Sequence, residues 1–330
     1  ITGRKIYNSV DLSGGFECSN PMLNRIHQAV RRTMTNQLFG IPLDCLYREH
    51  WGWTDPATVT GTLFPRLYMP LFWRKWLNDF KEAQRACGSV PDFAPDYLRR
   101  YGIDPAWGGN YPILIWYLYQ YFGDVSFLKD HYRGLKRQVR YFQAAEENGI
   151  LIEGHYGDHM LPGPAPGQDE FISTETPREL VWTGYYYRGV YCVARIAEIL
   201  GHHEDSKEFR SLADRIKEAF NARWFDSKNG NYVSGSQTAN FIALSLGIVP
   251  EEQREEVLKN TVEDIQKNYD GRHHTGNTGT TCMIETLAHE GYGQLMYDML
   301  NQTDYPGWGY MIASGASTIW ESWSGPIGQV

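Results

Sequence analysis

The strongest constraint on this chain is the alternation of two kinds of helical segment. Ile113 to Phe122 and Val181 to Leu200 are apolar nearly all round and have helical length, with Gly201 as a stop. A helix without a polar face has to be surrounded by other elements. Phe209-Leu212-Ala213-Ile216-Phe220 and Val257-Leu258-Val262-Ile265 instead show one apolar stripe at three- and four-residue spacing, so each covers something on one side and meets water on the other. The first helix is of this second kind. Ser19-Asn20-Pro21 supplies its cap and first-turn proline, and Leu23, Ile26, Val30, Met34 and Leu38 form its stripe. Turns such as Gly123-Asp124, Gly201-His202 and Val249-Pro250-Glu251 join the segments. The pattern predicts an inner ring of buried helices inside an outer amphipathic ring, with roughly eleven helices and few strands, that is, an all-α (α/α)6 barrel of six helical hairpins. One large toroid accommodates all 330 residues. Residues 1–15 read as an extended lead-in from a preceding domain, and residues 16–330 as the barrel with its last helix incomplete, the whole being part of a longer multidomain chain.

Two clusters break the helical pattern. The first, Asp44-Cys45-Leu46-Tyr47-Arg48-Glu49-His50-Trp51-Gly52-Trp53-Thr54-Asp55, gathers three acids, an arginine and two tryptophans where a barrel of this type opens its funnel. A solvated loop has no need of two tryptophans, and a core segment cannot bury three carboxylates cheaply. The second lies near the C-terminus, where Glu321 stands between Trp320 and Trp323 after a run of small residues. An acid so placed is either paired or working. Closing a ring brings its last helix beside its first, so Glu321 can face Glu49 across 272 residues of sequence. Two carboxylates facing a sugar pocket are the minimal machinery of glycoside hydrolysis: one donates a proton to the leaving oxygen, and the other activates water or attacks. The 11 Trp and 22 Tyr supply flat rings on which sugar faces stack.

Other classes are disfavoured. Thirty-one basic against 39 acidic residues, scattered rather than striped, leave no footprint for nucleic acid. No apolar run is long enough to predict a membrane span, and the five cysteines form neither a disulfide framework nor a zinc motif. Cys45 reads as a buried structural thiol, and the His202-His203 and His273-His274 pairs as solvated or loop-bonding rather than metal ligands. No cofactor and no metal are expected, and the compartment stays open.

At the two clusters the sequence resembles the glycoside hydrolase family 78 α-L-rhamnosidases. Asp44-Cys45, Arg48, Glu49 and Gly52-Trp53-Thr54 are similar to the family's first motif, and Gly315-Ala316-Ser317-Thr318-Ile319-Trp320-Glu321 to its second. Pro105-Ala106-Trp107-Gly108 resembles its tryptophan-bearing loop, Tyr156-Gly157-Asp158 its Gly-Asp-Trp turn, and His274-Thr275-Gly276-Asn277-Thr278-Gly279-Thr280 its Thr-Gly-x-x-Gly-Thr loop. The agreement runs in order from about Phe16 to Trp323. It implies inverting hydrolysis of terminal α-L-rhamnose or a related 6-deoxy sugar, with a carbohydrate, a rhamnose-containing glycan or glycoside, as the substrate and the oligomeric state left open. Glu49 maps to the general acid and Glu321 to the general base. Asp44 and Arg48 map to sugar-hydroxyl contacts, Trp53 and Trp107 to apolar walls, and Asp158 and Trp320 to the pocket.

The sequence departs from the family at Asp55-Pro56, which shifts an acid by one place, and at His159, where the family has a tryptophan platform. Both Asp55 and His159 are expected at the substrate rather than in the chemistry. Two rival readings are a helical-toroid polysaccharide lyase or unsaturated uronyl hydrolase, for which only Arg48 and scattered histidines are at hand, and a non-catalytic sugar-binding relative.

Overall fold

The computed structural model describes residues 2, 14–45, 48–54, 69–98, 101–102 and 104–325. Eleven α-helices lie among them: α1 Pro21–Gln37, α2 Pro70–Ala83, α3 Tyr111–Phe122, α4 Val125–Gln143, α5 Arg178–Ile199, α6 His203–Trp224, α7 Gln237–Ser245, α8 Arg254–Asn268, α9 Asn277–His289, α10 Gly293–Asn301 and α11 Trp308–Ala313. Three two-stranded antiparallel hairpins decorate the ring: β1 (Glu146–Glu147) with β2 (Ile150–Leu151), β3 (His159–Leu161) with β4 (Glu170–Ile172), and β5 (Phe225–Asp226) with β6 (Asn231–Tyr232). The expected lead-in falls mostly on residues outside this description.

The helices form the two expected rings. α3, α5, α7 and α9 pack side by side as inner helices, and α4, α6, α8 and α10 lie outside them. α5 shows why. Fifteen of its side chains or glycine positions are buried, among them Val181, Tyr185, Val190 and Ile196, whereas α6 buries only the stripe Ser206, Phe209, Leu212, Ala213, Ile216 and Phe220. Each large aliphatic or aromatic side chain taken out of water in this way contributes about 1.5–3 kcal/mol. α1 starts as its sequence predicts, with the Asn20 side chain accepting hydrogen bonds from the Met22 and Leu23 amides.

Two features fix the barrel's ends. Late in the inner helices, Tyr117 of α3 donates to Glu285 of α9 (3.2 Å), Ser245 of α7 donates to the other oxygen of Glu285 (2.8 Å), and Arg188 of α5 hydrogen-bonds Tyr117. This polar tie closes one end, and the loops that precede the inner helices gather at the other. The ring itself is sealed where α11 packs on α1: Arg25 donates to the Ile312 carbonyl (3.1 Å), and the Ile319 amide donates to Thr33 (2.8 Å). No described helix is long and apolar enough to cross a membrane.

Candidate active site

The first cluster forms a tight loop after α1. The Asp44 amide donates to the Trp51 carbonyl (2.9 Å), the Trp51 amide donates back to Asp44 Oδ1 (2.8 Å), and Gln37 holds the Asp44 carbonyl (2.8 Å). The chain then runs against residues 92–94, with Trp53 bridged to Phe93 and the Thr54 amide donating to the Asp92 carbonyl (3.1 Å). Gly52 belongs to this pairing because a Cβ there would collide with the Ala94 carbonyl oxygen. Trp51, Trp53, Phe93 and Tyr97 form a continuous aromatic group, with ring centroids 4.8 Å apart for Trp51–Phe93 and 5.5 Å for Trp51–Tyr97.

Asp44, Cys45 and Glu49 bring their donor atoms within 4.8 Å of one another. The buried Cys45 thiol lies 3.2 Å from Asp44 Oδ2 and 3.5 Å from Glu49 Oε2, and the two carboxyls share a hydrogen bond. Burial, reinforced by that bond, pushes the Asp44 pKa up to about 7. The bond to Asp44 holds Glu49 below the ordinary range despite partial burial, helped by the Arg48 guanidinium. A single proton is therefore kept between the two, and it rests on the more buried Asp44. Cys45 is raised by burial and by Asp44, so it stays a thiol.

Across the seam, Arg48 hydrogen-bonds Glu321 Oε2, and His159 Nε2 lies 3.4 Å from Glu321 Oε1. Arg48, Glu321 and His159 are thus brought together from distant parts of the chain, with Glu49 next to Arg48. Trp320 is half-buried with its ring edge toward Tyr310 (6.4 Å). Arg48, expected on sugar hydroxyls, instead spends its guanidinium on Glu321.

Two expectations are corrected. Asp158 is fully buried and cannot touch a sugar: its carboxylate accepts from Thr238 (2.5 Å), the Gly276 amide (2.8 Å) and the Gly279 amide (3.0 Å). The Thr-Gly-x-x-Gly-Thr motif is the receptor for this carboxylate, because a Cβ at Gly276 would strike the His159 carbonyl and one at Gly279 would strike Thr238. Trp107 is only 5% exposed, since Tyr156 lies over it at 4.4 Å, so Trp53 is the more open ring of the two. Asp55 lies outside the described residues.

Sequence reading missed three supports. Asp104, also fully buried, accepts from the Ala106, His155 and Tyr156 amides (3.0, 3.0 and 2.8 Å) and so ties the Trp107 loop to the Tyr156 turn; burial outweighs these bonds and lifts its pKa to about 7. His273, read as solvated or loop-bonding, does bond its own loop through Nδ1 and the Thr275 hydroxyl (3.3 Å), but it is not solvated: it is fully buried between Trp323 (4.1 Å) and Trp308 (5.3 Å), and burial lowers its pKa to about 3, so it is a neutral ring beneath the Glu321 loop. Asp169 grips that loop from a distant hairpin. Apart from the Gly163 amide (3.4 Å), its partners lie more than 100 residues away in sequence, so no local signal ties it to Glu321.

With this geometry in hand, comparison with known proteins decides the family. The bacterial alpha-L-rhamnosidase 6 hairpin glycosidase domain matches residues 11–329. The chain belongs to this family. An alpha-L-rhamnosidase of Formosa agariphila is 30% identical over 326 residues, 98% of this chain and 35% of the relative. The structure of the alpha-L-rhamnosidase from Dictyoglumus thermophilum superposes with a TM-score of 0.91 at 36% identity, covering 97% of this chain and 36% of that one. That of the Streptomyces avermitilis alpha-L-rhamnosidase complexed with L-rhamnose gives 0.88 at 28% identity, covering 97% and 30%. The chain thus spans about a third of the length of these rhamnosidases, consistent with a six-hairpin domain within a multidomain chain.

Proposed function

We propose that this domain hydrolyses terminal α-L-rhamnosides, or those of a close 6-deoxy sugar, with inversion at the anomeric carbon. The observation that carries the reading is the meeting of Glu49 and Glu321 around Arg48, which bonds one glutamate and lies beside the other. Glu321 takes a proton from the attacking water as its oxygen bonds to C1. Glu49 passes the proton that it shares with Asp44 to the leaving oxygen as the glycosidic bond breaks, and the products are β-L-rhamnose and the aglycone alcohol. Trp53 offers an apolar surface to the sugar's methyl face. Support from relatives includes the L-rhamnose bound to the Streptomyces protein.

The test is NMR of the fresh product from an aryl α-L-rhamnoside. Inversion releases the β anomer first, before mutarotation mixes the two. Initial α anomer means retention, an unsaturated sugar means a lyase, and no turnover means a binding relative.

The acid pair adds a pH prediction. The proton held between Asp44 and Glu49 is present below about pH 7 and lost above it, so kcat should decline as pH rises through that value. In Asp44→Asn, Glu49 has to hold the proton alone beside Arg48, and the alkaline limb should move to lower pH by more than about one unit. An unmoved limb would separate Asp44 from the proton supply.

A further inference from the structure

We propose that Asp169 is the residue that positions Glu321 for catalysis, an inference that rests on the reading of Glu321 as the general base. Glu321 lies in residues 314–325, none of which is helical, so no ladder of backbone hydrogen bonds fixes its carboxylate. Asp169 supplies the missing hold. It immediately precedes β4, and its carboxylate accepts from Ser322 Oγ (2.5 Å) and the Ser324 amide (3.0 Å), the residues one and three places after Glu321. Its second oxygen takes the Tyr305 hydroxyl, and the Gly167 amide adds a bond to Ser324 Oγ (2.7 Å). β3, the partner strand in the same hairpin, begins with His159, which reaches Glu321 Oε1 directly. One hairpin therefore holds the base from its backbone and from its carboxylate. Burial alone would raise the Asp169 pKa, but the bonds from Ser322, Tyr305 and Ser324 outweigh it and keep the group ionised, as suits a carboxylate that only accepts. Asp169 touches neither the water nor the sugar in this reading; it acts through Glu321.

Misplacing a reacting group by about 1 Å can cost about 10²-fold in rate, and that is the size of effect expected here. In Asp169→Asn the shape is kept, but an amide N–H replaces one acceptor. On an aryl rhamnoside kcat should fall about 10²-fold while KM stays within about threefold. Calorimetric affinity for free L-rhamnose should be unchanged. Asp169→Glu, which restores the carboxylate, should recover most of the lost kcat. A kcat that stays at the parent value in Asp169→Asn overturns the proposal, as does a loss that tracks the folded fraction in both variants. Should Asp169→Asn fail to fold, Ser322→Ala removes the side-chain bond next to Glu321 from the other side, and full activity there is equally fatal. Glu321→Gln is run in parallel. If it is active, the base assignment itself fails; if it is inactive while Asp169→Asn is normal, only the positioning role fails.

Discussion

Glu49→Gln and Glu321→Gln should each lower kcat by roughly 10²–10⁴-fold on a glycoside with a poor leaving group, with circular dichroism and melting temperature close to those of the parent. Both substitutions remove a proton-transfer partner from a partly exposed position, so the fold has little to lose. The two variants separate on a second substrate. An aryl rhamnoside whose phenol is a good leaving group needs little protonation, so it should restore much of the rate of Glu49→Gln. It should do nothing for Glu321→Gln, where water is still not activated. Equal rescue of both, or of neither, would reverse or cancel the assignment of acid and base.

Asp158→Ala should be the most destabilising single substitution of the residues discussed. It leaves the Gly276 amide, the Gly279 amide and the Thr238 hydroxyl buried without their acceptor. Each orphaned donor costs about 1–3 kcal/mol, and with relaxation a total of about 3–5 kcal/mol is expected in denaturant unfolding. Activity should disappear with stability, because the same turn carries His159 into the site. A variant that melts within about a degree of the parent would show that water replaces the carboxylate, since even 1 kcal/mol shifts Tm by more than this.

These outcomes depend on features that were legible in the sequence to different degrees. The rings were readable because burial on all sides and burial on one side leave different periodicities: α5 and α6 are adjacent and nearly equal in length, yet only α6 shows a stripe. Glu49 and Glu321 could be singled out because an acid just before a pair of tryptophans, or between two, has few bland explanations. Asp158 was misjudged because a motif conveys identity without direction; the acid sits beside the pocket residue His159 but points the opposite way, into the glycine loop. Trp107 was misjudged for the same reason, since nothing local says that Tyr156 will cover it. Asp169 was invisible because its tie to the Glu321 loop runs to partners far along the chain.

The seal between α1 and α11 has a consequence for how the protein comes into being. In the proposed mechanism acid and base come from opposite sides of the seam, so the Glu49 loop can carry out no hydrolysis until Glu321, made 272 residues later, has joined it. On that reading, hydrolysis requires the seam to be shut with Trp320 and Glu321 in place. Turnover would then report the closed seam, and a protease nick that lets α11 drift from α1 should abolish the proposed hydrolysis while leaving most of the described helices intact.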